Sequence, residues 1–188
     1  MRLIWFGAAV MIVVGCASTP PTRLYTLDMT PTGLAKPECN IEVDHMRVHE
    51  TLNRMDILIL KSPTEVEYYA SDDWAASLTE LVSEKLKAEF GNPQEGRTTV
   101  LATGKVLAFG QNDTKEGPKG HVKIEMVYRT PEMDPYDPAI RKVTYETLLP
   151  VESDGPKGLV TTLTRGLEAL ARDMARDAEK VAKYVSQG

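Results

Sequence analysis

Cysteine is scarce: Cys16 and Cys39 are the two in 188 residues, beside three histidines. So few thiols exclude a disulfide framework and leave little material for a metal centre. Aromatic residues are 6% of the chain, and 22 lysines and arginines face 27 acidic side chains, a net charge of −5. A mildly acidic chain without a cationic cluster is unsuited to gripping nucleic acid or an anionic bilayer by charge. Apolar runs are short as well. Leu3 to Val14 holds 12 residues, about 18 Å of helix against a hydrocarbon core of about 30 Å. It is too short to span.

That run is nonetheless the most informative stretch present. Arg2 precedes it and Gly15-Cys16 ends it, the layout of a secretory signal peptide over residues 1–15. Val13-Val14-Gly15-Cys16 resembles a bacterial lipobox, in which the thiol is diacylated, the leader is cut and the new amine is acylated. An ordinary signal peptide would place any small residue at the cut. A cysteine there favours lipidation at Cys16, and two or more acyl chains hold a protein stably on a membrane. Losing residues 1–15 removes one cation, Arg2, so the mature charge is about −6. Lipidation also leaves Cys39 unpaired, read as a small buried residue.

Ala17 to Thr22 is small, polar and proline-containing, so residues 16–38 read as a lipidated N-terminus with an extended tether. Within it Arg23 to Leu27 could form a short strand. Residues 39–188 read as one domain. Ile41, Val43, Met46 and Val48 suggest a strand with a slip near Asp44-His45. Asp56 to Leu60 and Glu65 to Tyr69, joined by Ser62-Pro63-Thr64, form a hairpin.

Then the period changes. Trp74, Leu78, Leu81, Val82, Leu86 and Phe90 recur at three- and four-residue steps, which predicts a helix capped by Ser71, with Asp72 and Asp73 at its positive end. Gly91 and Pro93 stop it. Thr99 to Phe109 reads as a strand, with Gly104 marking a bulge or a close approach. Gln111 to Gly120 reads as a polar loop. Val122 to Arg129 and Lys142 to Leu149 alternate as half-buried strands around a proline-rich loop, Thr130 to Pro138. Val160, Leu163, Leu167, Leu170, Met174, Ala178, Val181 and Val185 predict a final amphipathic helix of roughly 28 residues. The expected fold class is α+β: a largely antiparallel sheet of about six strands with two amphipathic helices on one face.

Candidate chemistry is sparse. Asp44, His45 and His49 are too few and too spread along a strand for zinc. Glu132, Asp134 and Asp137 sit among prolines without the calcium-loop spacing. Neither a Walker motif nor a Gly-x-Ser-x-Gly elbow is present, so no catalytic residue, metal or cofactor is expected. Tyr68 and Tyr69 must point to opposite faces of a strand, so one can anchor a partner. Trp74 suits either the core or that interface.

In order along the chain, the lipobox, Arg23-Leu24-Tyr25-Thr26-Leu27, Leu52-Asn53-Arg54-Met55-Asp56-Ile57, Val66-Glu67-Tyr68-Tyr69 and Asp73-Trp74-Ala75-Ala76-Ser77-Leu78 resemble one family. It is the ABC-type transport auxiliary lipoproteins, the PqiC-like group that accompanies MCE-domain lipid-transport systems. The sequence departs where proline often precedes the Leu-x-Arg element and His49-Glu50-Thr51 stands instead. The resemblance implies a non-enzymatic role. The lipoprotein would sit on the inner leaflet of the outer membrane, facing the periplasm, and dock the MCE component there. Ala17 after the acylated cysteine implies release to the outer membrane. Implied partners are the membrane, through acyl chains on Cys16, and an MCE-domain protein, with homo-oligomerisation open and nucleic acid excluded. The alternative function is binding of a small ligand or glycan in a sheet–helix cleft.

Overall fold

The computed structural model describes residues 21–134 and 136–187, with the backbone alone at His45. The leader and Cys16 lie outside them. Seven strands and two helices follow in order: β1 (Arg23–Tyr25), β2 (Asn40–Val48), β3 (Asp56–Ser62), β4 (Glu65–Trp74), α1 (Leu78–Phe90), β5 (Thr99–Thr114), β6 (Gly117–Arg129), β7 (Arg141–Pro150) and α2 (Gly155–Ser186). The class is α+β, as expected, with seven strands among the described residues where about six were expected.

All seven strands join one sheet, in the order β1-β4-β3-β5-β6-β7, with β2 beside β5. Strands β1, β2 and β3 pair in parallel with β4, β5 and β5, while β3–β4, β5–β6 and β6–β7 are antiparallel. The two longest ladders, β5–β6 and β6–β7, are antiparallel, but the sheet is mixed. Because β6 takes one edge of β5, strands β2 and β3 must share the other, end to end. Residues 49–55 are looped out between them, with a 3-10 turn at Glu50–Leu52.

Burial alternates along β5 and β6 as a half-covered sheet requires: Val100, Ala102, Val106, Val122, Ile124, Met126 and Tyr128 are all buried. Above them lies α2, burying Leu159, Leu163, Leu167, Leu170, Met174, Ala178 and Val181 on one stripe. Helix α1 packs against β2 and against α2. Glycine sets the depth of this contact. A Cβ on Gly120 would lie 2.8 Å from Thr162 Cγ2 of α2, closer than side chains approach. Gly104 is likewise a close approach, wedged between the sulfurs of Met46 and Met126.

Three boundaries move. The first helix starts at Ser77, whose Oγ accepts from Glu80 N at 3.2 Å, and not at Ser71. Tertiary pairing overrides the helical pattern there: Trp74 N donates to Met55 O at 2.7 Å, and Asp72 holds Arg23 at 2.7 Å and the Tyr25 hydroxyl at 3.0 Å. The expected loop 111–120 is a hairpin, turning at Lys115-Glu116, with Gly117 at φ 111°. Its polar residues pair with each other and with β3: Gln111 Nε2 donates to Asp113 Oδ1 at 2.6 Å, and Lys61 holds Asp113 at 2.6 Å. Finally, the body begins near 23 and not 39, because Leu27 and Ala35 are buried in the core.

Candidate functional site

The face of the sheet opposite the helices carries the residues of interest. Leu58 stands opposite Tyr68 and Leu60 opposite Val66. Leu58 also meets Gly110, Gly110 meets His121 and His121 meets Leu148 across successive strands. Directly paired residues share a face, so this apolar set crosses the helix-free side. Val66 is 44% exposed and Leu148 41%. A hollow of about 250 Å³ sits among Leu52, Leu58, Leu60, Val66 and Leu107, with His121 and Lys123 at its rim. Both rim groups bind Glu146, at 2.8 and 2.9 Å. Lys123, then His121, hold that carboxyl below its ordinary range.

Gly110 makes this surface possible. A Cβ there would stand 2.5 Å from the Leu58 carbonyl oxygen, so β3 could not close on β5. The looped-out segment then builds the rim. Leu52 is buried and fixes the loop, which leaves Arg54 and Thr51 beside Tyr68. The Arg54 guanidinium carbon lies 4.1 Å from the Tyr68 ring centroid, a cation–π geometry. The Tyr68 hydroxyl donates to Thr51 O at 3.0 Å. Arg54 is itself held by Asp56 at 3.0 Å. Tyr68 is therefore a half-buried aromatic with its rotamer fixed from both ends, which lowers the entropy lost on contact.

The three aromatics singled out in the sequence do not form one surface. Tyr69 lies on the opposite side, its hydroxyl donating to Gln111 Oε1 at 2.6 Å. Burial, then Asp113 and Asp72, raise its pKa. Trp74 is 1% exposed and stacks edgewise on Phe109 at 5.7 Å and 61°. Of the two places open to it, core or interface, Trp74 takes the core. What brings Arg54 onto Tyr68 is the loop register, and no local spacing in the sequence signals that contact.

Cys39 is buried, and desolvation pushes its thiol up to about 11, the behaviour of a small core residue. Asp134 and Asp137 turn their carboxylates to backbone amides at 2.8 and 3.1 Å. Among the described residues, no three His, Cys, Asp or Glu side chains are grouped to hold a metal ion. Among them too, no helix is long and apolar enough to cross a membrane. The chemistry on offer at the helix-free face is contact: apolar area, a fixed aromatic and a charged rim.

The family model described as the ABC-type transport auxiliary lipoprotein component matches residues 25–175. The chain belongs to this family. Two solved structures share its fold. One is a Xanthomonas campestris protein of family DUF330, 12% identical with a TM-score of 0.69, covering 88% of this chain and 100% of its own. The other, titled only as an uncharacterized protein, is 16% identical with a TM-score of 0.66 and covers 84% and 99%. No curated protein matches. The Leu52-Asn53-Arg54 element lies within the span that matches the transport auxiliary lipoprotein family, in the loop that supports Tyr68.

Proposed function

We propose that this chain is a non-catalytic accessory lipoprotein of an MCE-type lipid transport system, acylated at Cys16 and held on the periplasmic face of the outer membrane. Its folded domain docks the MCE component there. Family membership over residues 25–175 is the observation that carries the reading. The helix-free face supports it, because an exposed apolar patch around a fixed aromatic fits a protein contact. Docking uses Val66 and Tyr68, while acyl chains supply the membrane hold.

Affinity purification of the tagged, lipidated chain from native envelopes tests this. The MCE-domain component should co-purify, and Val66→Glu should release it without changing the level of folded protein. Absence of any MCE component, together with unchanged envelope lipids on deletion, would overturn the assignment.

A further inference from the structure

The position of β1 constrains which end of the molecule can approach a bilayer. Strand β1 runs parallel to β4, with Arg23 opposite Asp72. The chain therefore enters β1 from the end of the sheet bearing the 62–65 and 114–117 turns. Between Cys16 and Pro21 an extended chain spans at most about 18 Å. Through the β4–β3–β5 register, Arg23 lies about level with Ala108 and Pro21 a little nearer the turns. The far end, where Leu101 pairs with Arg129, is roughly 30 Å from Pro21 by strand rise. An acyl chain on Cys16 therefore inserts nearer the turn-bearing end of the sheet than the far end.

The far end carries a groove of about 760 Å³ between the β6–β7 loop and the last turns of α2. Met133, Ile140, Val181 and Tyr184 give it apolar walls, and Arg141 and Lys180 line it as well. Tyr184 is 71% exposed. The groove is also short of negative charge. Arg141 and Lys180 both bind Asp177 Oδ1, at 2.9 and 2.8 Å, and Asp177 Oδ2 is taken by the Tyr145 hydroxyl at 2.7 Å. Two cations share one carboxylate. Arg141 Nε is buried without a hydrogen-bond partner, so the guanidinium is short of acceptors. Glu132, Asp134 and Asp137 belong to the adjoining loop but do not line the groove.

We infer that this groove binds an extended apolar segment of the transport partner that carries a carboxylate. The carboxylate sits against Arg141 and Lys180, and the apolar side chains against Ile140, Val181 and Tyr184. The inference rests on the proposed anchoring and deepens it, adding a contact about 40 Å along β6 from the membrane-proximal turns.

The test is photocrosslinking in native cells, on the full lipidated chain, with a photoreactive phenylalanine in place of Tyr184. A parallel strain carries it in place of Val66. The expected adduct at 184 maps to a second protein, at a segment with Asp or Glu beside apolar residues. Lys180→Glu or Val185→Glu should each lower its yield about tenfold by charge repulsion, at unchanged protein level. Adducts at 184 only to phospholipid or only to another copy, or yields indifferent to both variants, overturn the inference. Silence at 184 with capture at 66 overturns the groove alone. Silence at both removes the accessory role with it.

Discussion

Lys85 and Glu89, one turn apart on α1, meet at 2.8 Å with neither side chain open to water. Glu168 of α2 reaches the same ammonium at 2.8 Å, and the Thr30 carbonyl accepts its third hydrogen bond at 2.8 Å. Glu89 in turn accepts from Thr32 N at 3.0 Å and Thr32 Oγ1 at 2.7 Å. One satisfied cluster thus joins α1, α2 and the segment leading from β1.

Removing the ammonium should be severe, because it strands two carboxylates, one of them fully buried. Lys85→Met is expected to cost about 3–5 kcal/mol, the range for a broken buried pair. Urea denaturation measures it. A loss below about 1 kcal/mol would mean the cluster is hydrated and contributes little.

Stability should also fall in acid. Burial alone would raise Glu89, but the bonds from Lys85 and Thr32 outweigh it and the net shift is downward. Asp177 behaves alike: burial raises it, while Lys180, Tyr145 and Arg141 together lower it. A carboxyl lowered in the folded state contributes stability above its unfolded pKa of about 4, lost as pH drops through the folded value. Lys85 has the opposite sign: burial lowers it, Glu168 and Glu89 raise it further, so its share is lost only as pH climbs past the ordinary lysine value. The urea midpoint should hold from pH 6 to 8 and drop below about pH 4, less steeply in Glu89→Gln. A flat midpoint down to pH 3 would contradict this.

Gly110→Ala should separate β3 from β5, since the new Cβ meets a backbone carbonyl at 2.5 Å. Gly166→Ala meets only side-chain methyls of Thr147 and Val122, at 3.0 and 3.1 Å, which can shift by a few tenths of an ångström. Thermal melts should therefore show the first variant losing about 2 kcal/mol or more. The second should lose less. The reverse order would refute the close-approach argument.

Trp74 and Tyr68 should separate folding from binding. Trp74→Ala opens a cavity in the core and should cost about 3–5 kcal/mol. Tyr68→Ala should cost about 1 kcal/mol yet reduce capture of the partner at least about tenfold. Equal effects of both on capture, at equal amounts of folded protein, would place the interface elsewhere.

Much of this was readable in the residues. The α2 stripe from Val160 to Val181 and the β6 alternation from Val122 to Tyr128 are strong periodic signals, and both elements form there, β6 starting earlier at Gly117. Trp74 misled because a strand end and a helix start share apolar residues. The pairing of β1 with Asp72–Trp74 and the Trp74 N–Met55 O bond, both distant in sequence, carry β4 through it. Lys85 sits on the buried stripe of α1 beside Val82 and Leu86, and its partners Glu168 and Thr30 come from elsewhere in the chain. The Arg54–Tyr68 contact depends on where the loop between β2 and β3 re-enters the sheet. Hydrophobic pattern is local, whereas register is set by the whole sheet.

Intact-mass measurement of the protein from native membranes tests the anchoring most directly. The account predicts a chain beginning at Cys16 with the added mass of two or three acyl groups at that residue. A free thiol at position 16, or a retained leader, would contradict it.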